Sequence, residues 1–190
     1  MNDQTPQSPV PGIRTVDHYL PWAHAQGGRW ELIDGKPVRM PAETLYHVRV
    51  KGYVWLALTD AIDATGLELH ALTDGATVRI DPRNANEPDS LVYAGPERPG
   101  DDLEVADPVI VVEVISPGSG KRDKVRKRAD YFSLPSVAHY LIVDPVGRTV
   151  QHLRPTDPAT ADGLMLGEND SIDLAPPGLE IKVRRFFARR

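Results

Sequence analysis

The stretch that decides the fold is Val109-Ile110-Val111-Val112-Glu113-Val114-Ile115-Ser116, followed by a charged run from Lys121 to Leu134 and an apolar one from Val137 to Val143. Consecutive apolar residues make both faces of an extended segment hydrophobic, as in a strand covered on two sides. Lys121 to Leu134 reads as a helix, and Val137 to Val143 as a second strand closed by Asp144-Pro145 and Gly147. Strand, helix, strand predicts an α/β sheet flanked by helices, with Val109 to Ser116 as a central strand.

Working outward, Leu67 to Leu72, Ala76 to Ile80 and Ser90 to Tyr93 read as strands, and Ala94 to Pro108, with three prolines and several acids, as a surface loop. Trp30 to Ile33 and Lys36 to Met40 flank Asp34-Gly35, the dipeptide of a two-residue hairpin turn. Leu45, Val48, Gly52, Trp55, Leu58 and Ile62 recur every three or four residues and predict a buried face on a helix from Ala42 to Ala64, stopped by Gly66. A shorter helix capped by Thr15 runs to Gln26, Arg148 to Leu153 forms a hairpin with the strand before it, and Leu179 to Val183 is a weaker β segment. At 190 residues and 41% hydrophobic, the chain is expected to form one domain over residues 14–190 behind a flexible segment, 1–13.

The absence of cysteine excludes disulfides and thiolate metal sites. The proline-rich start does not read as a signal peptide, and no apolar run approaches the roughly 20 residues of a membrane helix, so a cytoplasmic protein without membrane attachment is expected. The net charge of -5 argues against a general nucleic-acid coat, but the basic residues gather in Lys121, Arg122, Lys124, Arg126, Lys127 and Arg128, a candidate phosphate-binding helix. The six histidines include no H-E-x-x-H, Gly118-Ser119-Gly120-Lys121 lacks the rest of a P-loop, and no G-x-S-x-G elbow occurs.

Glu113 is the anomaly within the decisive strand, because a carboxylate among apolar neighbours needs a partner, a hydrogen bond or a metal. Asp89 opens another strand, and adjacent strands can bring the two carboxylates together. Like charges so placed call for a cation, and hard oxygen ligands suit magnesium or manganese. On the following helix Asp123, Lys127 and Tyr131 share a face, so Lys127 can point back to the strand end.

Taken in order, Trp30-Glu31-Leu32-Ile33-Asp34-Gly35, Glu87-Pro88-Asp89, Val112-Glu113-Val114-Ile115-Ser116-Pro117, Asp123 to Lys127 with Tyr131, and Tyr140-Leu141-Ile142-Val143-Asp144-Pro145 resemble the Uma family, restriction-endonuclease-like members of the PD-(D/E)XK superfamily. The resemblance implies a mixed central sheet flanked by helices and magnesium-dependent hydrolysis of phosphodiester bonds in DNA. It further implies metal ligands at Asp89 and Glu113, with the Val114 carbonyl as a further ligand. The superfamily lysine two residues after the glutamate is replaced here by Ile115, and the resemblance assigns its role to Lys127, with Lys124 as the substitute. Glu31 and His47 match further family positions, and a homodimer is implied. A rival reading, an inactive nuclease-fold module that binds nucleic acid or a protein, is favoured by the missing lysine and the acidic charge.

Overall fold

The computed structural model describes residues 12–115, 121–157 and 162–187, with the side chains of 121 and 122 excluded. Its centre is a six-stranded mixed sheet in the order β10-β9-β8-β7-β6-β3. These strands are β3 (Leu69–Thr73), β6 (Ser90–Ala94), β7 (Pro108–Val114), β8 (His139–Asp144), β9 (Thr149–Leu153) and β10 (Leu164–Gly167). β7 and β8 run parallel, and the crossover such a pair requires is α3 (Lys121–Phe132). The neighbouring pairs are antiparallel.

β7 is central because its two faces serve two cores. Ile110, Val112 and Val114 pack with Val50, Val54, Ala57 and Leu58 of α2 (Leu45–Thr65). Val111 packs on the opposite face with Tyr131 of α3 and Tyr140 of β8. Each fully buried valine, leucine or isoleucine contributes about 1.5–3 kcal/mol of hydrophobic stabilisation. By strand parity Glu113 lies on the Tyr131 side.

The rotation of α2 differs from the sequence expectation. Leu58 and Ile62 are buried, but Leu45, Val48 and Trp55 are 82%, 50% and 38% exposed. The inward face instead carries Val50, Lys51, Val54, Ala57 and Leu58. Lys51, 1% exposed, belongs to that face because buried carboxylates await its ammonium. The helix begins later than expected: Thr44 is the N-cap, its hydroxyl accepting from the His47 amide at 3.2 Å, and Gly66 ends it in the left-handed conformation.

A second sheet, β2-β1-β5-β4, contains the expected hairpin of β1 (Trp30–Ile33) and β2 (Lys36–Arg39). Its turn holds Asp34 and Gly35 at φ 51° and 72°, and a Cβ at Gly35 would stand 2.7 Å from the Arg14 carbonyl oxygen. β4 (Val78–Asp81) starts later than expected, and β5 (Asn84–Asn86) was not foreseen, being short and polar. α1 (Val16–Gln26) covers this sheet through Val16 and Tyr19. The hairpin of β11 (Ser171–Leu174) and β12 (Leu179–Lys182) packs on α2 with the 3-10 turn Val183–Phe186. No helix among the described residues is long and apolar enough to cross a membrane.

Candidate metal and catalytic centre

The register of β6 against β7 pairs Ser90 with Val112, and one further step sets Asp89 opposite Glu113. Both carboxylates therefore stand at the same end of the sheet. Asp89 is 3% exposed and accepts the Val114 amide at 2.6 Å through Oδ2. Its Oδ1 lies 2.6 Å from Lys51 Nζ and 3.4 Å from Arg29 Nη2. Burial alone would raise its pKa, but His47, Lys51 and the Val114 amide outweigh burial and hold Asp89 well below the usual carboxylate range.

Glu113 sits in a different environment. Its Oε1 accepts from Tyr131 Oη at 2.6 Å and from Lys127 Nζ at 2.9 Å. Burial pushes this carboxyl up to about 7, with Lys127 pulling it down and the negative charges of Asp89 and Glu31 adding to the rise. Lys127 also lies 2.9 Å from Glu31 Oε1, a buried oxygen that accepts no hydrogen bond. Burial disfavours the ammonium, yet Glu113 and Glu31 more than offset that and raise Lys127 well above an ordinary lysine. Burial and the Glu113 charge likewise raise Tyr131, which remains a hydroxyl donor.

The structure thus brings Asp89, Glu113, Lys127, Glu31 and His47 to one end of the sheet. It leaves Lys124 half-buried on α3. The Val114 backbone is present through its amide, which binds Asp89. Of the basic helix, the Arg126 guanidinium is engaged by Asp123, Asp130 and Asn86 at 2.7–3.0 Å and reaches Glu31 at 3.4 Å. Arg128 reaches the Asp157 carbonyl at 3.4 Å. The side chains of Lys121 and Arg122 lie outside the described residues.

Sequence reasoning missed half of the centre. Lys51 Nζ is also 3.0 Å from Asp74, and both Lys51 and Arg29 hold Glu43. Arg29 further binds Glu87 at 2.6 Å and Asp74 at 3.2 Å. One signal was available: Glu43, His47 and Lys51 follow at i, i+4 and i+8, a helical line ending in a lysine between Val50 and Val54. Arg29, Asp74 and Glu87 carried no such signal.

The chemistry of this donor set fits a divalent cation. Six carboxylates (Glu31, Glu43, Asp74, Glu87, Asp89 and Glu113) surround three fixed cations, Arg29, Lys51 and Lys127, with Arg126 at the margin. One ligand atom each from Glu43, His47 and Asp89 lies within 4.8 Å of the others. The imidazole suits zinc and similar transition metals, whereas the carboxylates suit magnesium or manganese.

Comparison with known proteins identifies a family and a fold. The family model Uma2, described as "Putative restriction endonuclease", matches residues 16–184. A solved structure described as "a putative nuclease belonging to DUF820 from Anabaena variabilis ATCC 29413" superposes with a TM-score of 0.67 at 16% identity. The match covers 90% of this chain and 96% of that one, a likeness of fold. No curated protein is matched.

Proposed function

The chain belongs to the Uma2 family, and from that premise we propose that it is a metal-dependent endonuclease hydrolysing phosphodiester bonds in DNA through one nuclease-like domain, residues 14–190. The observation that carries the reading is the placement of Asp89 opposite Glu113 with the Lys127 ammonium against Glu113. The proposed cofactor is magnesium or manganese, held by Asp89 and Glu113 with the Val114 carbonyl, and Glu43 and His47 are available on the α2 side of Asp89. When bound, such an ion supplies Lewis-acid polarisation of a phosphate oxygen and acidifies water.

The side chains divide the remaining work. Tyr131 donates to Glu113 Oε1 and fixes its rotamer. Glu31 holds Lys127 from the other side, so the ammonium stands in a set position. Already protonated between two carboxylates, Lys127 acts as a donor and not as a base. It orients the attacking water and balances charge on the phosphate as the new P–O bond forms and the bond to the leaving sugar oxygen breaks. Lys51 and Arg29 limit the repulsion among Glu43, Asp74, Glu87 and Asp89. Lys121, Arg122, Lys124, Arg126 and Arg128 are the proposed contacts to the DNA backbone, and a cytoplasmic homodimer is the proposed working form, a reading that rests on the family, since restriction-type enzymes that cut two strands are commonly twofold dimers.

A second reading rests on one observation: Lys51 Nζ, 2.6 Å from Asp89, already stands where a cation would balance the acids. The cluster is then a structural ion-pair network in an inactive module that binds nucleic acid or a protein. Plasmid cleavage with magnesium or manganese, set against Asp89→Ala, separates the two. Activity lost in the variant supports the enzyme; a parent protein that cuts neither single-stranded nor double-stranded DNA supports the binding module.

A further inference from the structure

Beside the carboxylate centre lies a cleft of about 270 Å³ between α1, the Gly27-Gly28 turn and the segment leading into β4. We propose that this cleft is a subsite for one nucleobase of the strand being cut, placed next to the phosphate served by Asp89 and Glu113; the inference rests on the nuclease reading above.

Two groups tie the cleft to the centre. Arg29 and Glu87 line it, and the Arg29 guanidinium donates from Nε to Glu87 at 2.6 Å while Nη2 stands 3.4 Å from Asp89. One guanidinium therefore joins a residue of the cleft wall to the catalytic carboxylate, so an occupant of the cleft lies next to the centre.

The lining selects the chemistry of the occupant. Leu20, Ala23 and Leu103 supply apolar walls, and Trp30 is fixed there by donation from Nε1 to the Gly27 carbonyl at 2.9 Å and by the edge-on ring of Trp22 at 4.9 Å. Thr77 and Glu87 supply polar groups. A phosphate is disfavoured in the cleft itself, because the cation lining it, Arg29, is already engaged by Glu43, Asp74, Glu87 and Asp89. A flat, uncharged group with amino donors on its rim meets these requirements, and a carboxylate accepting from the exocyclic amine of cytosine is an established pairing.

Size and access agree. A Cβ added at Gly27 or Gly75 would meet no atom within 4 Å, so the backbone at these lining positions borders open space. The volume is slightly below the roughly 300–1,000 Å³ of pockets for drug-sized ligands, enough for one base and too little for a base pair. The substrate strand would therefore present an unpaired or extruded base.

The test uses neutral probes that need neither metal nor cleavage. In a Trp55→Phe background, fluorescence reports Trp22 and Trp30, and the protein is titrated with deoxycytidine, deoxyadenosine and 2-deoxyribose. The proposal expects saturable quenching by a nucleoside, at least tenfold weaker binding of the sugar, and at least tenfold weaker nucleoside binding in Ala23→Leu, which fills the cleft. Thr77→Val, which keeps shape and removes the hydroxyl, is expected to weaken binding at least threefold and serves should Ala23→Leu fail to fold. Equal response to nucleoside and sugar, or parental affinity in the folded variants, overturns the proposal. Saturable nucleoside binding in a protein that cuts no DNA upholds the base site while removing the nuclease reading. DNA cleavage by a protein that binds no nucleoside in the cleft does the reverse.

Discussion

Replacing Lys127 by methionine keeps most of the side-chain volume and removes the charge that Glu113 and Glu31 share. Each carboxylate oxygen lies 2.9 Å from the ammonium, and the lysine is 5% exposed. At an effective dielectric of about 20, one such pair attracts by roughly 6 kcal/mol before desolvation is counted. Removing one partner of a buried pair typically leaves a net loss of about 3–5 kcal/mol, because the remaining charge stays buried without compensation. For a domain of this size each kcal/mol moves the melting temperature by about 2–4 °C, so Lys127→Met is expected to melt roughly 10 °C lower. Urea unfolding with and without magnesium is the assay. Magnesium should shift the variant and the parent by similar amounts, and Lys124→Met should stay within about 0.5 kcal/mol of the parent. Cleavage by Lys127→Ala should fall at least about tenfold, equivalent to roughly 1.4 kcal/mol of barrier, with metal affinity little changed. A loss below about 1 kcal/mol in Lys127→Met, or equal rate losses at Lys124 and Lys127, would refute the reasoning.

Asp89→Ala leaves the Val114 amide without its acceptor and removes one of the three carboxylates around Lys51, and calorimetric titration with manganese should show binding at least tenfold weaker than in the parent. Tyr131→Phe deletes the hydroxyl held by Glu113 Oε1 and should lower stability by about 1.5–3 kcal/mol, a hydrogen bond to a charged group, read from the urea midpoint. A third expectation concerns pH. His139 Nδ1 lies 2.8 Å from His152 Nε2, and His139 Nε2 lies 2.7 Å from the Pro176 carbonyl, a chain that two neutral imidazoles can form. Burial lowers both, His152 to about 4 with the neighbouring His139 adding to it. A depressed pKa means the unfolded chain takes up protons first, so this stabilisation is present above about pH 6.5 and lost as pH falls toward 4, by up to about 3 kcal/mol for His152. Urea midpoints across that range should decline, and His152→Gln should flatten the decline; an unchanged slope would show that other groups cause it. Light scattering at micromolar concentration should give the mass of a dimer, and a monomer would remove twofold cutting from the proposal.

Much of the fold was legible in the sequence because strand, helix and turn signals are local. The apolar run at 109–115, the helix after it and the strand expected at Val137 to Val143, observed as His139–Asp144, follow from local pattern. Asp34-Gly35 follows from the positive φ its turn demands. The short β5 and the β10 and β11 strands were not legible, since Asn84–Asn86 has no apolar pattern and β10 exposes Leu164 and Met165.

Glu113 stood out as an acid interrupting an apolar strand, whereas Asp89 gained its weight from a neighbouring strand that could set it beside Glu113 and from the family resemblance. What only tertiary structure decided is their company. α2 carries apolar residues around most of its circumference, so periodicity could not choose between the Leu45-Val48-Trp55 stripe and the Val50-Val54-Ala57 stripe. The choice fell to the face that delivers Lys51 and His47 to Asp89. Arg29, Asp74 and Glu87 converge on the Glu43-His47-Lys51 line from separate elements, and nothing local marks that meeting. A residue's charge and its place in the local period belong to the sequence, whereas the partner that makes a buried charge tolerable is set by how the sheets and α2 pack.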